Sequence, residues 1–104
     1  MYFLMVCKHH DGVADQRDAL RPAHRAHVAS GGNGLARVLV GSAVTPDDGV
    51  TSLGNFGILE AASEADARAF AETDPFARAG LVSDITITRL ADTFQAHRIE
   101  AMTP

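Results

Sequence analysis

The chain has 104 residues, of which 46% are apolar, so it fits one globular domain and is not a disordered segment. Its net charge is −4 without a run of Lys or Arg, so it lacks the basic patch that nucleic-acid binding requires. No stretch approaches the ~20 apolar residues of a membrane helix, and the apolar start Met1–Cys7 lacks the features of a signal peptide. We therefore expect a soluble, cytoplasmic protein without nucleic-acid or membrane partners.

The first third of the chain predicts a strand followed by helix. The strand covers Tyr2–Lys8, and a short charged helical turn covers Asp15–Leu20. Pro22 disfavours helical geometry at the preceding residue but suits the first position of a helix, so a second helix is predicted over Pro22–Ser30. The alternative is one longer helix with a kink at Arg21. The glycine-rich run 31–34 ends the helix, because glycine adopts the left-handed conformation of a helix cap.

The remaining two thirds predict three strands and one interrupted helix. Ser63 and Asp66 resemble a capping box at the start of that helix. Asp74-Pro75 interrupts it, and Gly80 closes the short piece that follows. The predicted strands are Leu35–Val44, Phe56–Ala62 and Ser83–Leu90; the helical pieces are Glu64–Thr73 and Pro75–Ala79; and Ala91–Pro104 is a partly helical tail.

This order of elements, β-α-β-β-α-β, is typical of the α+β ferredoxin-like fold with an antiparallel four-stranded sheet. Right-handed crossovers place both helices on one face of that sheet. The prediction is one domain over residues 1–94, with residues 95–104 as a C-terminal tail.

The predicted strands are apolar on both faces. In the first strand, Phe3 and Met5 lie on one side, while Leu4 and Val6 lie on the other. The second and third strands share this pattern, and Ile85–Leu90 shows it more weakly. A strand with one face in water should alternate apolar and polar residues. Because two helices cover only one face, we expect a second copy of the chain to cover the other, giving a homodimer or higher homo-oligomer.

His24 is the strongest candidate for chemistry. It shares a narrow helical arc with His27, on the face that should point toward the sheet. In this topology the second helix ends beside the first, which makes Asp74 its candidate partner. A carboxylate bound to one ring nitrogen leaves the other free as a base. Alternatively, the histidines are partly buried structural residues, and Asp74 is the N-cap before Pro75; a carboxylate can fill both roles.

The other histidines and the cysteine predict neither a metal site nor a reactive thiol. His24-x-x-His27 and the pair His9-His10 have ligand-like spacing, but no Glu or Cys completes a set, so no metal site and no cofactor are predicted. Cys7 lies within an apolar strand, which favours a buried, inert thiol and a reducing compartment.

Two motifs resemble those of the YciI-like (YCII-related) family. They are Arg21-Pro22-Ala23-His24 in the first helix and Asp74-Pro75-Phe76 followed by Ala79-Gly80, with the strand end at Gly41. The order and spacing match over about residues 1–90. Relatives often carry Gly-Pro where this chain has Gly41-Ser42. The resemblance implies a dimeric α+β barrel, in which ferredoxin-like subunits pair sheet to sheet, and a His–Asp pair at His24 and Asp74.

The first functional hypothesis is a cofactor-free enzyme that acts on a small organic molecule by lyase- or isomerase-like chemistry. His24 would be the general acid or base and Asp74 would orient it, while Arg21, Ser42 and Phe76 would bind the substrate. The second hypothesis is a non-catalytic small-ligand binder or accessory homodimer, in which His24 and Asp74 brace the two helices. A cofactor-free, monooxygenase-like barrel is a third, but the low aromatic content of 6% gives it little support.

Overall fold

The computed structural model describes residues 1–104 and confirms the ferredoxin-like α+β fold. All strand pairs are antiparallel, and the order across the sheet is β2-β3-β1-β4. The strand bounds differ from the predicted ones by at most two residues. The strands are β1 Tyr2–His9, β2 Arg37–Val44, β3 Gly54–Glu60 and β4 Val82–Arg89; the helices are α1 Ala14–Gly34, α2 Glu64–Glu72 and α3 Pro75–Arg78, with a 3-10 turn at Ala96–Arg98.

Helix α1 continues through Pro22, so the predicted break at Arg21 is wrong and the longer-helix alternative is closer. Proline removes one backbone hydrogen bond, which a long, packed helix tolerates. The backbone leaves helical geometry at the last four positions, with φ near +60° at residues 31 to 33 and +89° at Gly34. Gly31 is required there, because a Cβ atom would lie 1.9 Å from the Ala36 carbonyl oxygen.

None of the helices combines the length and the apolar composition that a membrane span needs.

The core lies between the sheet and the helices. Phe3, Met5 and Cys7 of β1 point into it, where they meet Leu59 of β3 and Phe70 of α2. Burial, and then the charge of Asp74, raises the pKa of the Cys7 thiol to about 12. The thiol therefore stays protonated at neutral pH, as a structural rather than a nucleophilic group.

The opposite sheet face is apolar on three of the four strands. The register sets Leu4 beside Ile58 and Val6 beside Phe56, and it adds Val40 from β2. On the other side of β1, the β4 partners are polar, with Thr86 opposite Val6 and Thr88 opposite Leu4. We call Leu4, Val6, Val40, Phe56 and Ile58 the outer apolar face.

The C-terminal tail crosses the end of the sheet, from β4 to β2. Phe94 packs against Tyr2 with ring centroids 5.5 Å apart. Farther on, the backbone N–H groups of Met102 and Thr103 donate to the Val38 carbonyl, at 2.9 and 3.1 Å. The Thr103 hydroxyl accepts from Val38 N–H and donates to the Val28 carbonyl of α1. The end of the chain thus ties α1 to β2.

Candidate active site

A cleft of about 530 Å³ opens between α1 and the sheet. Its floor is made by Gly41 of β2 and Gly57 of β3, which pair with each other. Gly57 also pairs with the buried Met5, so both glycines lie on the helix-facing side of the sheet. Because neither has a side chain, α1 and the sheet leave space between them. Met102 of the tail also lines this cleft.

His24 and Asp74 meet at the cleft, where His24 Nδ1 lies 2.6 Å from Asp74 Oδ2. A carboxylate can only accept, so Nδ1 carries the proton and Nε2 is left as the basic nitrogen. The other carboxylate oxygen, Oδ1, accepts the Phe76 backbone N–H at 2.8 Å and caps α3. Asp74 therefore holds His24 and caps α3 at the same time. The two side chains are 22% and 12% exposed.

Phe76 orients the imidazole. Its ring is buried and stacks on His24, with centroids 4.4 Å apart and planes inclined by 18°. The Asp74 hydrogen bond fixes one ring nitrogen, while this stacking fixes the ring plane. Rotation of the His24 ring would break the hydrogen bond, and tilting it would break the stacking.

Arg17 is a cleft residue that the sequence analysis missed. Its side chain is buried, its guanidinium carbon lies 4.8 Å from the Phe76 ring centroid, and its Nε atom has no hydrogen-bond partner. Burial, followed by the charge of Arg21, lowers the pKa of Arg17 below its ordinary value. The available signal was the spacing: Arg17 precedes His24 by two helical turns and so shares its face.

His9 and Asn55 form a second polar pair near Phe76. The His9 Nε2–H donates to Asn55 Oδ1 at 3.2 Å, while the buried Nδ1 atom has no partner. The His9 ring meets Phe76 edge-on, with centroids 5.4 Å apart. Burial and the positive charge of Arg17 lower the pKa of His9, against the weaker opposing effects of Asn55 and Asp74.

The lowered pKa of His9 predicts an acid-sensitive fold. His9 takes up a proton more readily in the unfolded chain than in the folded protein. Protonation of His9 therefore costs no free energy of unfolding above pH 6.5, the ordinary His pKa, and lowers the free energy of unfolding as the pH drops below it. His9→Gln should make the melting temperature less dependent on pH between about pH 8 and pH 5. The exposed neighbour supplies the control, His10→Gln. Equal pH dependence in wild type and His9→Gln would contradict this assignment.

The other candidate residues from the sequence, Arg21, Ser42 and His27, hydrogen-bond to groups outside the His24–Asp74 pair. Arg21 lines the cleft but binds Asp18 at 2.7 Å and is partly exposed. Ser42 borders the cleft but pairs with Phe56 of the outer apolar face, and its hydroxyl donates to the Ala43 carbonyl. His27 donates from Nε2 to the Phe70 carbonyl at 2.9 Å, which is a structural contact between α1 and α2. No group of three His, Cys, Asp or Glu side chains is placed to hold a metal ion.

The YCII-related domain model matches residues 1–91. The chain belongs to the YCII-related family. This YCII-related chain is similar in structure to 5-chloro-2-hydroxyhydroquinone dehydrochlorinase (TftG) from Burkholderia phenoliruptrix AC1100, solved in complex with 2,5-dihydroxybenzoquinone. The TM-score is 0.72 and the identity 29%, over 88% of this chain and 94% of that one.

A second solved structure, of PA3566 from Pseudomonas aeruginosa, matches with 21% identity and a TM-score of 0.46, over 86% of this chain and 93% of that chain. Among curated proteins, no significant match is found.

Proposed function

We propose that this YCII-related protein is a cofactor-independent enzyme that acts on a small organic molecule through His24 and Asp74. The observation that carries the proposal is the 2.6 Å hydrogen bond between His24 Nδ1 and Asp74 Oδ2, at the wall of a cleft. It leaves Nε2 as the proton acceptor. General acid–base catalysis by such a group contributes typically ~10²–10⁴-fold, so the cleft must supply the rest by positioning.

The chemistry we propose is lyase- or isomerase-like. His24 Nε2 removes a proton from the substrate, and Asp74 stabilises the imidazolium that forms. The protonated ring can then return a proton at another atom or assist a leaving group. The relative from Burkholderia is named a dehydrochlorinase, a lyase-type activity that supports this reaction class. Arg21, Ser42 and Phe76, which all line the cleft, are the proposed substrate-binding residues.

The proposal is tested with the substrate named for that relative. We expect wild-type protein, kept anaerobic with 5-chloro-2-hydroxyhydroquinone, to release chloride. His24→Gln should lower that rate by at least ~10²-fold, because glutamine is no base. His27→Gln is the matched control on the same helix, since its amide can still donate to the Phe70 carbonyl. Equal chloride release by wild type and His24→Gln would refute the role of His24.

The second candidate function is a non-catalytic small-ligand binder. The buried Asp74 carboxylate favours it, because the carboxylate also caps α3 and so joins α1 to α3 without any chemistry. In that case 2,5-dihydroxybenzoquinone would raise the melting temperature of the wild type, but 5-chloro-2-hydroxyhydroquinone would not be turned over. His24→Ala would lower the melting temperature without weakening ligand binding.

We further propose that the protein is a homodimer, or a higher homo-oligomer, that buries the outer apolar face. That face presents the five apolar side chains on adjacent strands, and Val6, its most exposed member, is 36% exposed in the single chain. A second copy with the same face would remove this surface from water, at about 25 cal/mol for each Å² of apolar area. The domain over residues 1–94 would then be the dimerising unit, with residues 95–104 bracing the helix side.

A further inference from the structure

The charge of the cleft is opposite to that of the whole chain. The chain carries a net charge of −4, yet three arginines line the cleft: Arg17, Arg21 and Arg25. Asp74 is the only carboxylate among the lining residues. A concave site with excess positive charge attracts anions, and the low-dielectric walls strengthen that attraction.

Arg17 differs from the other two arginines in its surroundings. The Arg21 guanidinium already binds Asp18, whereas Arg17 takes part in none of the ion pairs of the chain. Arg17 is only 7% exposed, and its Nε–H has no acceptor. Burying a charged donor without a partner costs free energy, so a buried guanidinium without a carboxylate is a site that an anionic oxygen would stabilise.

Arg17 and the proposed base, His24, line the same cleft and both contact the ring of Phe76. They lie two turns, about 10 Å, apart on the same face of α1, so one small molecule in the cleft can reach both side chains. The rest of the lining includes apolar side chains such as Met5, Val28 and Val38. The ligand that fits this combination has an apolar body and one anionic oxygen group.

We propose that Arg17 binds an anionic oxygen of the substrate, either a carboxylate or an ionised hydroxyl, and that the enzyme therefore selects small organic anions. This inference rests on the proposed function for its premise that the ligand of the cleft is a substrate. The guanidinium donates from its fork to the anion, which places the neighbouring part of the molecule at His24 Nε2. Arg17 is thus a substrate-binding residue, and the proton transfer belongs to His24.

The experiment compares two probes of the same shape, benzoate and benzamide. The full-length, ¹⁵N-labelled protein is titrated with each probe, and binding is followed by NMR shifts of cleft residues. We expect wild type to bind benzoate about tenfold more tightly than benzamide, or better, because a charge-assisted hydrogen bond to guanidinium is lost in the amide. Added NaCl should weaken benzoate binding and leave benzamide binding unchanged.

Four variants separate charge, geometry, position and chemistry. Arg17→Gln should weaken benzoate binding by about tenfold and leave benzamide binding unchanged. Arg17→Lys keeps the charge without the fork and should give an intermediate loss. Arg98→Gln removes the same charge at an exposed position outside the cleft and should change neither affinity. His24→Gln should retain benzoate binding, because binding needs no base.

The proposal is overturned if wild type binds benzoate no better than benzamide, or binds neither at millimolar concentrations. It is also overturned if Arg17→Gln binds benzoate as wild type does. Should Arg17→Gln fail to fold, the wild-type comparison and Arg17→Lys decide. These readouts measure binding alone, so a failure of turnover would refute the proposed function without touching this result. Conversely, His24-dependent turnover with unchanged benzoate binding in Arg17→Gln would refute only the role of Arg17.

Discussion

Asp74→Asn is expected to lower turnover by about 10²–10⁴-fold while leaving the melting temperature nearly unchanged. The asparagine side-chain oxygen can still accept the Phe76 N–H, so the cap of α3 is kept. Its amide NH₂ would face His24 Nδ1 and donate to it. The proton then moves to Nε2, and the nitrogen that should accept the substrate proton is no longer basic.

Two measurements check this expectation. Chloride release from 5-chloro-2-hydroxyhydroquinone gives the rate, and the ¹⁵N shifts of the His24 ring report which nitrogen carries the proton. Asp74→Ala is the matched comparison, because it removes the cap as well as the partner and should cost about 0.5–2 kcal/mol of stability besides activity. If Asp74→Asn kept wild-type turnover, Asp74 would be a cap and brace, and the alternative function would be favoured.

Much of the fold follows from local signals in the sequence. Strand β1 was predicted because its apolar run is short and ends at the polar residues 9–12. Helix α2 was predicted because Ser63 and Asp66 resemble a capping box, and in the structure the Ser63 hydroxyl accepts the Asp66 backbone N–H. The meeting of His24 with Asp74 was inferred from topology, since helices on one face of a four-stranded sheet must lie side by side.

The polar surroundings of the site could not be inferred in the same way. Arg17 lies in a charged segment that looks solvated when Pro22 is taken as a helix start, and its burial depends on contact with Phe76. His9 looks like a turn residue, yet it is the last residue of β1 and packs against the same ring. Both positions are decided by tertiary packing, which a local pattern does not contain.

The cleft itself depends on strand register. Gly41 faces Gly57 because the β2–β3 pairing shifts between Val38 and Val40, so that Leu39 falls at an irregularity. A shift of one residue in a strand moves every side chain to the other face. Without that irregularity Val40 would point at α1 in place of Gly41, and the space above the sheet would be filled. Sequence patterns predict the strand but not this shift.

Val6→Asp is expected to separate the proposed homodimer into monomers. Val6 is the most exposed side chain of the outer apolar face, at 36% in the single chain, and it lies opposite Phe56 on β1, an inner strand of the sheet. An aspartate there stays in water in the monomer, so the protomer should fold. In a sheet-to-sheet dimer the same charge would be buried without a partner, at a cost of several kcal/mol, which raises the dimer Kd by at least ~10²-fold.

Sedimentation velocity at micromolar concentration measures the effect. Val50 lies in the loop between β2 and β3 and is 84% exposed. Val50→Asp is the matched control, because it makes the same Val-to-Asp change away from the sheet. It should sediment as the wild type does. A wild type that is monomeric at micromolar concentration would refute burial of the outer apolar face by a second copy.

His24, Asp74 and Arg17 all come from one chain and lie on the helix side of the sheet. The monomeric Val6→Asp variant is therefore expected to keep its cleft and to bind benzoate as the wild type does.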